Sequence, residues 1–303
     1  MTVRAGSERS RDSWYFRKRR ESMLFAVISR LLRNPQGMIA VGGLVLLFVL
    51  AVGAGVISRS DPLEGNASGP LLSPSWSHLF GTDELRRDLL ARTLFGLRAS
   101  LEVAIGSVAL GAALGTCIGF IAGYAGHITE TIAMRIVDAL LAFPGLLTAL
   151  AILTILGPGS RNVALAIAIF NIPVFARLAR AQMIVEKQRD YVFASRSLGA
   201  RPGRLIFVHI TRNAIAPLLT QMALAMAAAV IIAASLSYLG LGERPPAPSL
   251  GGLLNSSRAY LQTSWWYALC PGAILAFLLL CLNFLADAIN EATSPYAQRR
   301  ISG

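Results

Sequence analysis

The stretch Ile215-Ala-Pro-Leu-Leu-Thr-Gln-Met-Ala-Leu-Ala-Met-Ala-Ala-Ala-Val-Ile-Ile-Ala-Ala-Ser-Leu-Ser-Tyr-Leu-Gly240 carries no charged side chain. A helix needs about 20 predominantly apolar residues to cross the hydrocarbon core of a bilayer, and this stretch is long enough. Five others read the same way. Gly37–Ile57 is uncharged, and Ser100–Gly123 is uncharged after Glu102. Ile132–Leu156 has Arg135 and Asp138 near its start. Asn162–Ala176 is short and is expected to run a few residues further, and Trp265–Ile289 holds Asp287 near its end. The expected fold is all-α, a polytopic membrane protein with six transmembrane helices.

Composition agrees. Of 303 residues, 54% are hydrophobic and 15% are charged, where a soluble domain carries roughly 25% charged residues. So few charges cannot cover a water-facing surface, which excludes an ordinary soluble enzyme. The net charge of +12 fits either a polyanionic partner or the positive-inside bias of a membrane protein. Position decides. With six spans both termini lie on one side, and that side receives 20 of the 28 basic and 9 of the 16 acidic residues, a net +11 against +1. Both termini are therefore expected in the cytoplasm, beside the lipid headgroups, and no nucleic acid is needed to explain the charge.

Four segments follow. Residues 1–36 form a cytoplasmic basic tail with an interfacial helix, expected over 22–33 from the apolar spacing of Leu24, Val27, Ile28 and Leu31. Residues 37–57 are the first transmembrane helix, read as a retained anchor rather than a signal peptide. Residues 58–99 are an external loop. Residues 100–303 form a five-helix core. In the external loop Thr82 stands before Asp83 and Glu84, so it is expected to N-cap a helix running from Asp83 to about Leu97. In the second span Gly111, Gly115, Gly119 and Gly123 recur every four residues, a spacing that lets helix backbones approach closely.

The chain offers little to catalysis. Its lysines are Lys18 and Lys187, and neither stands in a Gly-Lys-[Ser/Thr] sequence, so no P-loop wraps a phosphate here. His78, His127 and His209 are far apart in sequence, and no metal site is expected. Cys117, Cys270 and Cys281 lie in apolar runs and read as packing residues. No catalytic residue is expected. Pro144, Asn171, Pro173 and Asn283 fall within spans, where prolines bend helices and polar groups can line a path; a static kink serves them equally well. Arg135 and Asp138 share a helix face and are expected to pair as a structural ion pair.

The loop 182–213 is the most patterned segment. Asp190-Tyr-Val-Phe-Ala-Ser-Arg-Ser-Leu-Gly199 reads as a short helix closed by glycine, Ala200-Arg-Pro-Gly203 as a turn, and Arg204–Ile210 as the start of a helix feeding the fifth span. The result is a helix–turn–helix hairpin facing the cytoplasm, with small residues at its tip and no nucleophile–base pair.

Tyr191–Pro217 resembles the cytoplasmic coupling (EAA) loop of ATP-binding-cassette importer permeases. The motifs His78-Leu-Phe-Gly-Thr-Asp-Glu-Leu-Arg-Arg-Asp-Leu-Leu90, Gly119-Phe-Ile-Ala-Gly-Tyr124, Met134-Arg-Ile-Val-Asp-Ala-Leu-Leu-Ala-Phe-Pro144 and Ser235-Leu-Ser-Tyr-Leu-Gly-Leu-Gly242 extend the resemblance, in order, over roughly residues 30 to 297. They are similar to the dipeptide/oligopeptide/nickel family, C-type subunit, and Phe143–Arg177 resembles its glutathione-type members. The chain departs where the family often has Glu-Ala-Ala, carrying Phe193-Ala194-Ser195, and Thr211-Arg212 stands for the usual Leu-Pro. This removes a particular salt bridge to the ATPase but not the docking.

The resemblance implies a type I ABC-importer permease fold. It also implies a second, homologous permease subunit, two nucleotide-binding ATPase subunits that hold ATP and Mg, and an extracytoplasmic substrate-binding protein, all at the bacterial inner membrane. This chain itself would bind no cofactor and be no enzyme. Tyr191, Phe193, Ala194, Ser195, Gly199, Ala200, Arg201, His209 and Asn213 would form the ATPase-coupling surface, and the cargo would be di- or oligopeptides, including glutathione. Nickel or antimicrobial peptides are alternative cargoes for the same architecture. An ion-coupled secondary transporter is the alternative of a different class, disfavoured because mid-span positions carry almost no charge.

Overall fold

The computed structural model describes residues 34–58 and 60–293, and these form helices joined by loops. The expected interfacial helix over 22–33 and the terminal Arg299 and Arg300 lie outside the described residues.

Helix α1 (Pro35–Val52) opens with Asn34 accepting from the Gln36 N–H at 3.1 Å and with proline at its first position, where a missing N–H costs nothing. It kinks at Gly53 and continues for one turn, Ala54–Ile57. Helix α2 (Leu89–Ala125) follows the loop, and helices α3 (His127–Leu141) and α4 (Gly145–Leu156) meet at 87°. Helix α5 (Ser160–Glu186) is longer than the expected fourth span and takes Pro173 into its interior. Helix α6 (Asp190–Ser197) lies in the hairpin. Helix α7 (Thr211–Tyr238) is the fifth span, α8 (Leu250–Ser257) packs beside its far end, and α9 (Trp266–Thr293) is the last. Five of these stretches are long and apolar enough to cross a membrane, and six if α3 and α4 together make one broken crossing. The all-α fold of membrane-length helices therefore stands, and the expected third span is bent sharply at its middle rather than straight. Pro144 has no N–H to continue the ladder and crowds the preceding turn, and the apolar run Ile132–Leu156 breaks there, whereas α5 carries Pro173 through its interior.

Packing centres on α2 and α5. The glycine row of α2 lies directly on α5: a Cβ at Gly115 would sit 2.4 Å from the Ile172 carbonyl oxygen, and one at Gly119 2.2 Å from that of Ala176. Only the bare backbone fits. The two helices interlock at close range, and the core spreads from them through Leu101, Val108, Phe120, Phe175, Ala179, Met183 and Val230.

The loop of residues 58–88 departs from expectation. Thr82 does not cap a helix; its hydroxyl accepts from the Leu72 N–H and donates to the Gly69 carbonyl. Asp83 is fully buried, and its carboxylate accepts from the Leu85 and Arg87 backbone N–H groups and from Arg87 Nε at 2.6 Å, with Arg92 Nε at 3.3 Å. Those bonds curl residues 83–87 into a turn, so the helix begins six residues later, at Leu89. Asp88 is its cap, accepting from the Ala91 N–H at 2.9 Å while its other oxygen pairs with His78 Nδ1 at 2.8 Å. Arg92 donates to the Pro62 carbonyl, and Glu84 accepts from the Tyr267 hydroxyl at 2.6 Å. The loop is thus bolted to α2 and α9 at one end of the bundle.

Candidate functional site: the hairpin between α5 and α7

The hairpin leaves the opposite end of the bundle. Its root is held twice. Lys187 Nζ donates to the Gly123 carbonyl at 2.7 Å, tying the end of α5 to the end of α2. Glu186, buried at the last turn of α5, accepts from the Tyr191 hydroxyl at 2.7 Å and has Arg189 Nε at 3.5 Å. Burial, then the bond to Glu186, pushes the Tyr191 phenol up to about 12, so it stays a neutral donor at physiological pH; Asn213 beside it works weakly the other way. Lys187 is the one lysine among the described residues, and a main-chain carbonyl occupies it rather than a phosphate.

Helix α6 buries Val192 against Leu205, Ile206 and Ile210 of the returning limb, all part of the main core. Its end is a Schellman motif: the Ala200 N–H donates to the Ser195 carbonyl and the Gly199 N–H to that of Arg196. Gly199 sits at φ +80° with open space where a Cβ would be. Its need for glycine is therefore conformational; nothing in this chain approaches it closely. The chain then turns through Pro202–Arg204 and a π-helical segment, Leu205–Ile210, that runs straight into α7. Thr211 donates to the Ile206 carbonyl across the wide turn at 2.9 Å. Single π-helical turns of this kind are frequent at functional sites.

The residues singled out in sequence divide cleanly. Phe193, Ala194, Gly199, Arg201 and Asn213 are exposed, whereas Tyr191, Ser195, Ala200 and His209 are half-buried and brace the hairpin from behind. Ser195 donates to the Tyr191 carbonyl. The outward face also includes Leu198, 88% exposed, and Phe207, neither of which sequence reasoning picked out. A large apolar side chain immediately before a helix-closing glycine was the available signal. Around these apolar tips stand the exposed Arg189, Arg196, Arg201, Arg204 and Arg212, with Asp190 the one exposed acid of residues 187–213.

The span residues fare differently. Asn171 and Pro173 are buried in helix packing; Asn171 donates to the Ile167 carbonyl and lies against Gly111. Asn283 is exposed on α9 and donates to the Leu279 carbonyl. Pro144 lies exposed at the α3–α4 break. The expected Arg135–Asp138 pair is replaced: Asp138 binds Arg177 Nη2 of α5 at 2.5 Å. Two turns away Glu130 accepts from Arg180 Nε at 2.6 Å. Arginines on a packed neighbouring helix reach the acids of α3 better than a residue on the same helix.

A bundle of membrane-length helices with a braced basic hairpin projecting from one end fits a membrane component of a transport system. The chain belongs to the family described as binding-protein-dependent transport system inner membrane component, which matches residues 115–296. It is 37% identical over 269 residues to the dipeptide transport system permease protein DppC of Haemophilus influenzae, covering 87% of this chain and 91% of that one. It is 40% identical over 265 residues to the di/tripeptide transport system permease protein DppC of Pseudomonas aeruginosa, covering 84% and 88%. The glutathione transport system permease protein GsiD of Pectobacterium atrosepticum is 40% identical over 222 residues, covering 73% and 74%. Among solved structures, the MetNI methionine ABC transporter in an inward-facing conformation matches with a TM-score of 0.54 at 19% identity, covering 68% of this chain and 97% of that chain. The type I importer permease fold and the multi-pass inner-membrane setting follow.

Proposed function

We propose that this chain is one of two homologous permease subunits of an ATP-driven importer of di- and oligopeptides, glutathione among them. The observation that carries the reading is the hairpin of residues 187–210, braced into the core and continuous with α7. A rigid projection transmits force, and a flexible linker would not. Two nucleotide-binding subunits hold ATP and Mg and supply hydrolysis; this chain supplies a knob for one of them. The knob is apolar at Phe193, Leu198 and Phe207 and rimmed with arginine. The absence of Glu at position 193 makes its docking one of shape and burial rather than of a single salt bridge.

The hairpin faces the cytoplasm, as do both termini, because the positive-inside bias places net +11 on that side. The bolted loop of residues 58–88 then faces outward, where a substrate-binding protein delivers cargo. Peptide specificity rests on the named relatives. The test is to purify the chain from its native membrane with its partners and measure ATP hydrolysis with and without binding protein and peptide. Co-purifying ATPase subunits and peptide-stimulated hydrolysis are expected; a chain that purifies without any ATPase overturns the reading.

A further inference from the structure

The break between α3 and α4 sits at an unusual depth. Gly145 abuts the Phe170 ring so closely that a Cβ there would lie 2.3 Å from it, so the two are at one level. Phe170 is ten residues into α5, which begins at Ser160, or about 15 Å along the axis at 1.5 Å per residue. With Ser160, which follows the Gly157-Pro-Gly159 turn, taken at the edge of a hydrocarbon core about 30 Å thick, that is the middle. At this level the chain stops being helical and is exposed: Ala142, Phe143 and Pro144 all face outward from the subunit, Phe143 with 68% of its surface free.

Lipid cannot face such a break. The first N–H groups of α4, from Gly145 onward, have no intrahelical acceptor, and no side chain caps them. Hydrocarbon offers nothing in exchange, so non-helical backbone at membrane depth occurs only where it lines water or is buried in protein. From residue 139 to residue 148 no side chain is charged; Leu140, Phe143, Leu146 and Leu147 are the large exposed ones, and the exposed Asp138–Arg177 ion pair borders them on the α3 side.

We propose that the break at residues 142–144 is turned to the aqueous translocation route, and that Phe143 is the side chain that contacts cargo at mid-depth. The inference rests on the permease reading for the existence of cargo. The apolar stretch 139–148 carries no fixed ion of its own, and the charges bordering it at Asp138 and Arg177 are spent on each other, which suits peptides of varied side chains. It also separates Pro144, on the route, from Asn171 and Pro173, which are spent on helix packing.

The test uses the complete complex in membrane vesicles, with Cys117, Cys270 and Cys281 replaced by alanine. Single cysteines are then placed by Phe143→Cys, Ala142→Cys and, as a lipid-facing reference, Val45→Cys on the exposed face of α1. A charged methanethiosulfonate reagent is applied on both sides. A thiol in hydrocarbon stays protonated and inert, so labelling at 143 and 142 is expected at least about tenfold faster than at 45. Saturating dipeptide should slow labelling at 143. Rates at both 142 and 143 no faster than at 45, whether from lipid or from a dry subunit interface, overturn the inference. Fast labelling without protection by peptide removes the cargo contact. Co-purification of the ATPase with each variant keeps the two readings apart: slow labelling in a complex that still hydrolyses ATP sinks this inference alone.

Discussion

Gly199 is the residue on which the hairpin turns. Leucine there must adopt φ +80°, at a cost of roughly 1–2 kcal/mol, yet it would meet no neighbour. Gly199→Leu is therefore expected to reach the membrane in normal amount while its Schellman end loosens. Peptide uptake should fall well below the wild-type rate while basal ATP hydrolysis continues; paired uptake and hydrolysis assays check this. Tyr191 tests the root. Tyr191→Phe removes the bond to the buried Glu186 carboxylate, a loss of about 1.5–3 kcal/mol, and should quicken tryptic cleavage in the loop. The phenol's folded-state value is raised to about 12 from its ordinary 10. Its contribution is thus complete below pH 10 and is lost as pH rises through about 12. The wild-type cleavage rate, corrected for the protease's own pH response, should be flat between pH 6 and 9. At the other end of the bundle, Asp83→Ala would strand Arg87 and Arg92 in a buried pocket. Breaking such a cluster costs roughly 3–5 kcal/mol, measurable as a lower melting temperature of the purified complex.

At the scale of elements, the α2–α5 pair tolerates least. Gly119→Leu would drive a side chain into the Ala176 carbonyl and the Arg180 backbone N. Backbone cannot swing aside as a side chain does, so the variant is expected to lose about 3 kcal/mol, the upper end for overpacking, and to fall steeply in membrane abundance in an immunoblot, whereas Gly106→Leu, with open space at its Cβ position, should accumulate normally. This pairing was half legible in sequence. The four-residue glycine period announced a packed face, but nothing in the one-dimensional pattern named α5 as its partner. The same limit explains Asp138, whose local partner Arg135 lost to Arg177 across the helix pair. The hairpin could be read almost to the residue, because short-range signals set it: Asp190 at the start, Gly199 and Pro202 at the turn. The loop helix was placed too early for a physical reason. Thr82 and the acids behind it look like a cap and a first turn, but Asp83 spends its carboxylate on two arginines and two backbone N–H groups, and Asp88 inherits the capping role. Hydropathy alone could not show the 87° break either, since an apolar run scores alike whether bent or straight; Pro144 was the sole local mark.

Across the whole molecule, the two ends are built differently. One is fastened by Arg92, Glu84 and Tyr267 across loop, α2 and α9; the other carries the hairpin on Lys187 and Glu186. From Pro202 to Tyr238 the chain is one uninterrupted helical run of 37 residues, about 55 Å long. Its far end is gripped: Gly251 lies against the Ala234 carbonyl, and Asn255 donates to that of Tyr238. A rod gripped there and braced at Leu205, Ile206 and Ile210 near its other end moves as one lever with what packs on it. About ten degrees of tilt displaces its ends by about 10 Å relative to one another, given that length.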